Sequence, residues 1–137
     1  ELVEFAKSNG VHITNYASLG SGDRPAGLKS KDEPFLLQDS TIKSIAEQVW
    51  ATPSGVLLKW ALQEGTSVIP KSVSSKRLEQ NLQTDQTVAT LSDEQMEQIR
   101  YLDKHRRYVD GLFWCLDGAP YTAESLWNEG SGVKSEL

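Results

Sequence analysis

The segment that most restricts the fold is Thr66-Ser67-Val68-Ile69, a short run that stops at Pro70 and lies between two helical patterns. Its apolar core does not alternate with polar residues, as expected of a parallel strand covered on both faces. A second strand is expected over 11–16, where Val11, Ile13 and, less clearly, Asn15 alternate with His12, Thr14 and Tyr16. Parallel strands cannot be joined by a tight turn. The helical patterns between these two therefore make them a βαβ unit.

Helix signals surround the strands. Residues 1–9 have the pattern of a helix end, with Leu2, Phe5 and Ala6 on one face and Gly10 suited to a left-handed cap. Thr41 to Trp50 is amphipathic through Ile42, Ile45, Ala46 and Val49, and either Asp39 or Ser40 can cap it. Thr52-Pro53 restarts a helix that turns Val56, Leu57, Trp60 and Ala61 inward and stops near Gly65. A short helix is expected over Lys76 to Leu82. Ser92 and Gln95 then form a capping box, with Leu91 able to staple onto Met96, for a helix reaching about Lys104 with Met96, Ile99 and Leu102 inward. Residues 108–137 form an aromatic tail marked by Gly and Pro. Residues 17–37 form a long loop without usable periodicity, a length that in a compact domain is usually functional or disordered.

With 137 residues the chain is long enough for one domain. Two strands are not a complete sheet, however, and the chain opens on Glu1 already in helical periodicity, so a piece of a longer protein is expected. The formal net charge of −5 argues against a nucleic-acid surface. No apolar run approaches membrane-spanning length, and no signal-peptide pattern is present. The single cysteine, Cys115, permits no internal disulfide, which fits a cytoplasmic setting. His12 and His105 lack ligand spacing, and Cys115 has no paired His motif.

Chemistry concentrates after the second strand. Val68-Ile69-Pro70-Lys71-Ser72-Val73 opens onto a cationic, hydroxyl-bearing turn, and a helix starts at Ser74 or Ser75, with Arg77 and Asn81 within it. Free amides at a helix N-terminus beside Lys, Ser and Arg make an anion site, for which a phosphate monoester is the natural guest. Arg suits the role because its planar fork meets phosphate bidentately. A Lys-Ser pair at a strand end is by itself an ordinary solvated surface. The spacing of Arg77 and Asn81, together with the upstream loop, favours the phosphate site. Gly20-Ser21-Gly22 lacks a full G-x-G-x-x-G and is followed by Pro25, which disfavours a Rossmann reading.

The pattern Ile69-Pro70-Lys71-Ser72 with Arg77 and Asn81, preceded by Thr14-Asn15-Tyr16-Ala17-Ser18-Leu19-Gly20-Ser21, resembles the aldo-keto reductases. The resemblance covers roughly residues 1–104. It implies an α/β fold, the C-terminal part of a (β/α)8 TIM barrel: the last two βα units plus a terminal helix and C-terminal loop, incomplete alone. Phosphate often binds in that fold in the loops after strands 7 and 8. The resemblance implies NADPH as cofactor and a small carbonyl compound as substrate. Tyr16 would stack on the nicotinamide, and Leu19 and Ser21 would touch the pyrophosphate. Asp23 would reach across to Lys71, closing the loop as a belt. Lys71, Ser72, Val73 and Arg77 would hold the 2′-phosphate, with Asn81, and Gln80 beside it, on the adenine edge. The tail aromatics either pack beneath the barrel rim or fold over the substrate pocket, and in the second case Trp114 is the contributor.

The sequence departs from the family at Ala17, usually Ser, at Ser18, usually Pro, at Gln80, commonly Glu, and at Ala26, which is aromatic in many mammalian members. The family's proton-donor Tyr and its Lys, Asp and His partners belong to the first four strands, outside the part matched here, so Tyr16 is not a catalytic acid. A different class of reading is a non-catalytic nucleotide-binding or interaction module, associating through open strand edges.

Overall fold

The structure is a computed structural model and describes residues 2–29, 32–105 and 107–127. Its elements, in chain order, are helix α1 (Leu2–Ser8), strand β1 (Thr14–Asn15), helices α2 (Ser40–Gln48) and α3 (Pro53–Gln63), strand β2 (Ser67–Val68), and helices α4 (Ser75–Thr87), α5 (Asp93–Arg100) and α6 (Ala123–Trp127). Short 3-10 turns occupy Ala26–Leu28, Leu36–Gln38 and Leu112–Trp114.

The two strands are parallel, with Thr14 opposite Ser67 and Asn15 opposite Val68. The expected pairing of β1 and β2 across a helical crossover is present. Both strands are much shorter than the apolar runs suggested, because each has only one partner here and Ile69 and Tyr16 beyond it stand exposed. The core lies instead among the helices. Ile42, Ile45 and Ala46 of α2, Val56 and Leu57 of α3, and Met96 and Ile99 of α5 form one buried cluster with Leu91.

Local capping chemistry sets the helix boundaries. The Asp39 carboxylate accepts from the amides of Thr41 and Ile42 and starts α2. Thr52 accepts from Gly55 at the start of α3, where Pro53 occupies the first turn. The Ser92–Gln95 capping box is complete, with both reciprocal bonds formed. At the C-termini, α1, α2 and α3 share one motif. In each, a residue in the left-handed region is followed by an amide that bonds back to the carbonyl five residues earlier: Val11 to Ala6, Ala51 to Ala46 and Thr66 to Ala61. Gly10 and Gly65 occupy the left-handed position in α1 and α3, but Trp50 occupies it in α2, with φ +55°.

Three expectations need correction. Helix α4 runs on to Thr87 instead of stopping near Leu82. Its second half is pinned by the buried Lys59 of α3, whose ammonium donates to both the carbonyl and the carboxylate of Asp85. Helix α5 ends at Arg100 rather than Lys104, because the amides of Leu102 and Asp103 tighten into turns onto Ile99 and Arg100. On α1 only Ala6 is buried; Leu2 and Phe5 are exposed, since a two-stranded sheet is too narrow to cover that face.

In the tail, Thr122 and Ser125 cap α6 reciprocally, and the Trp127 indole donates to the Asp110 carbonyl. The rest of the expected C-terminal tail, 128–137, lies outside the described residues. None of the helices among the described residues is long and apolar enough to cross a membrane.

Candidate cofactor cleft

The end of β2, the start of α4 and the loop after β1 enclose a cleft of about 560 Å³. One wall is Ile69, Pro70, Lys71, Ser72 and Val73, which leave the strand and enter the helix. The opposite wall is Leu19, Ser21 and Asp23 from the long loop, and Arg77, Gln80 and Asn81 come from the first two turns of α4. The sequence positions 19, 21 and 23 therefore meet positions 71–73, 77, 80 and 81 in one site. A helix places Arg77, Gln80 and Asn81 together because residues three and four apart share a face.

The two remaining candidates, Tyr16 and Trp114, do not line it. Tyr16 follows β1 directly and is exposed, next to Ala17 but outside the cleft lining. Trp114 sits in the 3-10 turn of the tail, against the Phe113 ring at 5.1 Å between centroids, and does not line the cleft.

The cleft is electrostatically suited to an anion. Ser74 is the N-cap of α4 but makes no side-chain cap bond, so the first-turn amides lack that acceptor. The Ser72 hydroxyl accepts from the Ser74 amide and keeps its own proton for a ligand. Arg77 has no ion pair among the described residues. Lys71 faces Asp23, the single carboxylate of the lining, at 3.5 Å. No group of three potential metal ligands is found among the described residues.

The loop wall carries backbone strain. Ala17 and Ser21 both adopt positive φ, +55° and +48°. The turn between them is closed by the Gly20 amide on the Ala17 carbonyl, and the Ser18 hydroxyl donates to the Asn15 carbonyl. Sequence reasoning missed Phe35, Leu37 and Ser54 of the lining. Ser54 lies in the first turn of α3, so a second helix N-terminus borders the cleft; the Thr52-Pro53 start signal could have pointed to it.

A second cavity, about 510 Å³, lies between α2, α3 and α5 and is walled by Leu36, Ile42, Leu57, Trp60, Ile99 and Tyr108 among others. Arg100 stands at its rim, with its pKa raised first by a hydrogen bond to Glu64 and then by that carboxylate's charge. Its cation is thus already engaged with Glu64.

Residues 1–104 match the model of the aldo/keto reductase family. The chain belongs to that family. It is 48% identical over 129 residues to an aldo/keto reductase of Synechocystis sp., covering 94% of this chain and 39% of that protein. It is 42% identical over 117 residues to the NAD(P)H-dependent D-xylose reductase of Aspergillus niger, covering 84% of this chain and 36% of that enzyme. Human aldo-keto reductase family 1 member A1 is 35% identical over 109 residues, covering 80% of this chain and 32% of that protein. The chain thus spans less than two fifths of the length of these curated relatives.

Proposed function

We propose that this chain is the NADPH-binding part of an aldo-keto reductase that reduces aldehydes or ketones to alcohols, and that it corresponds to the last two βα units of a (β/α)8 barrel. The observation that carries the reading is the single cleft shared by Leu19, Ser21, Asp23, Lys71, Ser72, Val73, Arg77, Gln80 and Asn81. The xylose reductase and the aldo/keto reductase relatives support it by family.

In this reading the first turn of α4, the Ser72 hydroxyl, Lys71 and Arg77 bind the adenosine 2′-phosphate, a dianion that matches an uncapped helix N-terminus and two cations. Gln80 and Asn81, three and four positions beyond Arg77 on the same helix face, take the adenine edge, and Val73 offers it an apolar contact. Leu19 and Ser21 meet the pyrophosphate, and Asp23 closes onto Lys71 so that the loop straps the nucleotide in place. Tyr16, exposed at the end of β1, gives the nicotinamide a face to stack on. The cofactor itself, when bound, supplies the hydride for the carbonyl carbon. The groups that protonate the carbonyl oxygen belong to the other strands of the barrel, so this chain has the binding half of the machinery and is inactive alone. Trp114 contributes to the substrate side from the tail. The setting is cytoplasmic.

The test is a thermal melt of the chain with NADPH, with NADH and without nucleotide. A cooperative transition raised by NADPH but not by NADH is the expected result. No response to NADPH would overturn a formed 2′-phosphate site in this chain.

A further inference from the structure

The long loop is held in place from behind. Between 20 and 35 it is rich in Gly, Ser, Asp and Pro, a composition with little intrinsic order. Yet Arg24 and Glu33 form an ion pair whose side chains are only 11% and 13% exposed. The Lys29 ammonium donates to the Gly22 carbonyl, a second strap across the same loop. At Gly22 a Cβ would lie 2.5 Å from the Phe35 ring, so the loop backbone rests directly on an aromatic that itself lines the cleft.

Arg24 pairs through Nη2 alone; Nε and Nη1 are buried with no hydrogen-bond partner. The guanidinium lies 5.9 Å from the centroid of the Tyr108 ring, and the Tyr108 hydroxyl donates to the Pro34 carbonyl at 3.0 Å. A residue of the C-terminal tail therefore meets Arg24 at one end of the ion pair and the backbone of Pro34, next to Glu33, at the other. Burying an ion pair costs desolvation and is a weak source of stability, but separating the partners leaves a buried charge uncompensated, which disfavours loop geometries that part them. The pair on the cleft side, Asp23 with Lys71, is largely exposed and adds little to the stability of the unliganded loop.

We infer that Arg24 and Glu33, latched by Tyr108, are positioning residues that hold Ser21 and Asp23 against the cleft and set how long the nucleotide stays bound. This rests on reading the cleft as the nucleotide site. Neither Arg24 nor Glu33 is itself a lining residue of the cleft. It acts through the backbone between Ser21 and Arg24, which carries one wall residue at each of two consecutive odd positions. The device also couples the tail to the loop, so that displacing Tyr108 loosens the wall more than 80 residues upstream.

The experiment is stopped-flow nucleotide fluorescence with NADPH on the chain and on Glu33→Gln, Tyr108→Phe and the charge swap Arg24→Glu/Glu33→Arg, alongside trypsin cleavage of the loop without nucleotide. Expected is a dissociation rate about tenfold higher in Glu33→Gln, corresponding to roughly 1.4 kcal/mol, with association changed little. Tyr108→Phe gives a smaller rise, the swap restores part of the loss, and loop cleavage accelerates in the same order. If wild type binds no NADPH, the nucleotide reading fails and this inference with it. If wild type binds but Glu33→Gln and Tyr108→Phe release NADPH and are cut at wild-type rates, the inference alone is overturned. Should Glu33→Gln not fold, Tyr108→Phe decides between the two results, since it deletes one hydroxyl.

Discussion

Asp23 Oδ2 and Lys71 Nζ lie 3.5 Å apart across the mouth of the cleft, joining the loop after β1 to the turn after β2 over 48 residues of sequence. Both side chains are more than two-thirds exposed. In that setting the pair contributes on the order of 0–1 kcal/mol to stability. Asp23→Asn is therefore expected to leave the melting temperature of the unliganded chain unchanged. It should raise the NADPH dissociation rate several-fold, because the strap over the bound nucleotide loses its charge. A stability loss with unaltered release would contradict the role given to Asp23.

Charge reversal on the other side of the cleft separates the two cofactors. Lys71→Glu and Arg77→Glu each remove a cation and add an anion beside the proposed 2′-phosphate. A hydrogen bond to a charged group contributes about 1.5–3 kcal/mol, so the NADPH dissociation constant should rise by at least tenfold per variant. That for NADH should change far less. Titration calorimetry with both nucleotides checks this, and equal losses for the two would refute the assignment.

The same site implies a pH dependence whose sign is fixed. A phosphate monoester loses its second proton near pH 6 in solution. A cationic site prefers the dianion, so the bound group has the lower pKa. NADPH affinity is then full above about pH 7 and falls as the pH drops through roughly 6, where the free nucleotide takes up the proton that the complex excludes. NADH lacks the group and should give a flat profile over this range. No histidine lines the cleft to confuse the comparison.

What could be read from the sequence was what local chemistry decides. Thr52-Pro53 and Ser92-Gln95 state their helix starts within four residues, and both caps form. The meeting of Lys71, Ser72 and Arg77 on one cleft was legible for the same reason, since they lie in one strand-to-helix passage. Features that depend on distant partners were not. The length of α4 rests on Lys59 reaching Asp85 over 26 residues. The Arg24–Glu33 pair closes inside a loop with no periodicity, and its latch comes from Tyr108 in the tail. Leu2 and Phe5 have a correct helical spacing but no surface to cover it, which no periodicity can reveal.

Trp50 offers a stability test independent of the site. It takes the left-handed position that Gly10 and Gly65 occupy in the equivalent motifs of α1 and α3, and its side chain is 95% exposed. The left-handed region costs a residue with a Cβ about 1–2 kcal/mol, and glycine escapes most of that cost. Trp50→Gly removes the strain and sacrifices almost no packing. It is expected to stabilise the chain by about 1 kcal/mol, raising the melting temperature by several degrees. Gly65→Ala, the opposite change in α3, should lower it.

The Lys59 anchor links packing to the cleft. Its ammonium is buried and makes two bonds to Asp85, holding the second half of α4 against α3, while the first half of the same helix presents Arg77, Gln80 and Asn81 to the cleft. Lys59→Ala deletes both bonds and leaves a cavity between the helices. A loss of about 2–3 kcal/mol in denaturant unfolding is expected. Asp85→Asn should cost less, because its amide oxygen and the backbone carbonyl can still accept from the ammonium. If α4 transmits this anchoring to its N-terminus, hydrogen exchange of the amides at 75–77 will speed up in Lys59→Ala and slow again when NADPH binds. Exchange that changes only near 85 would confine the anchor to a structural role in the far end of the helix.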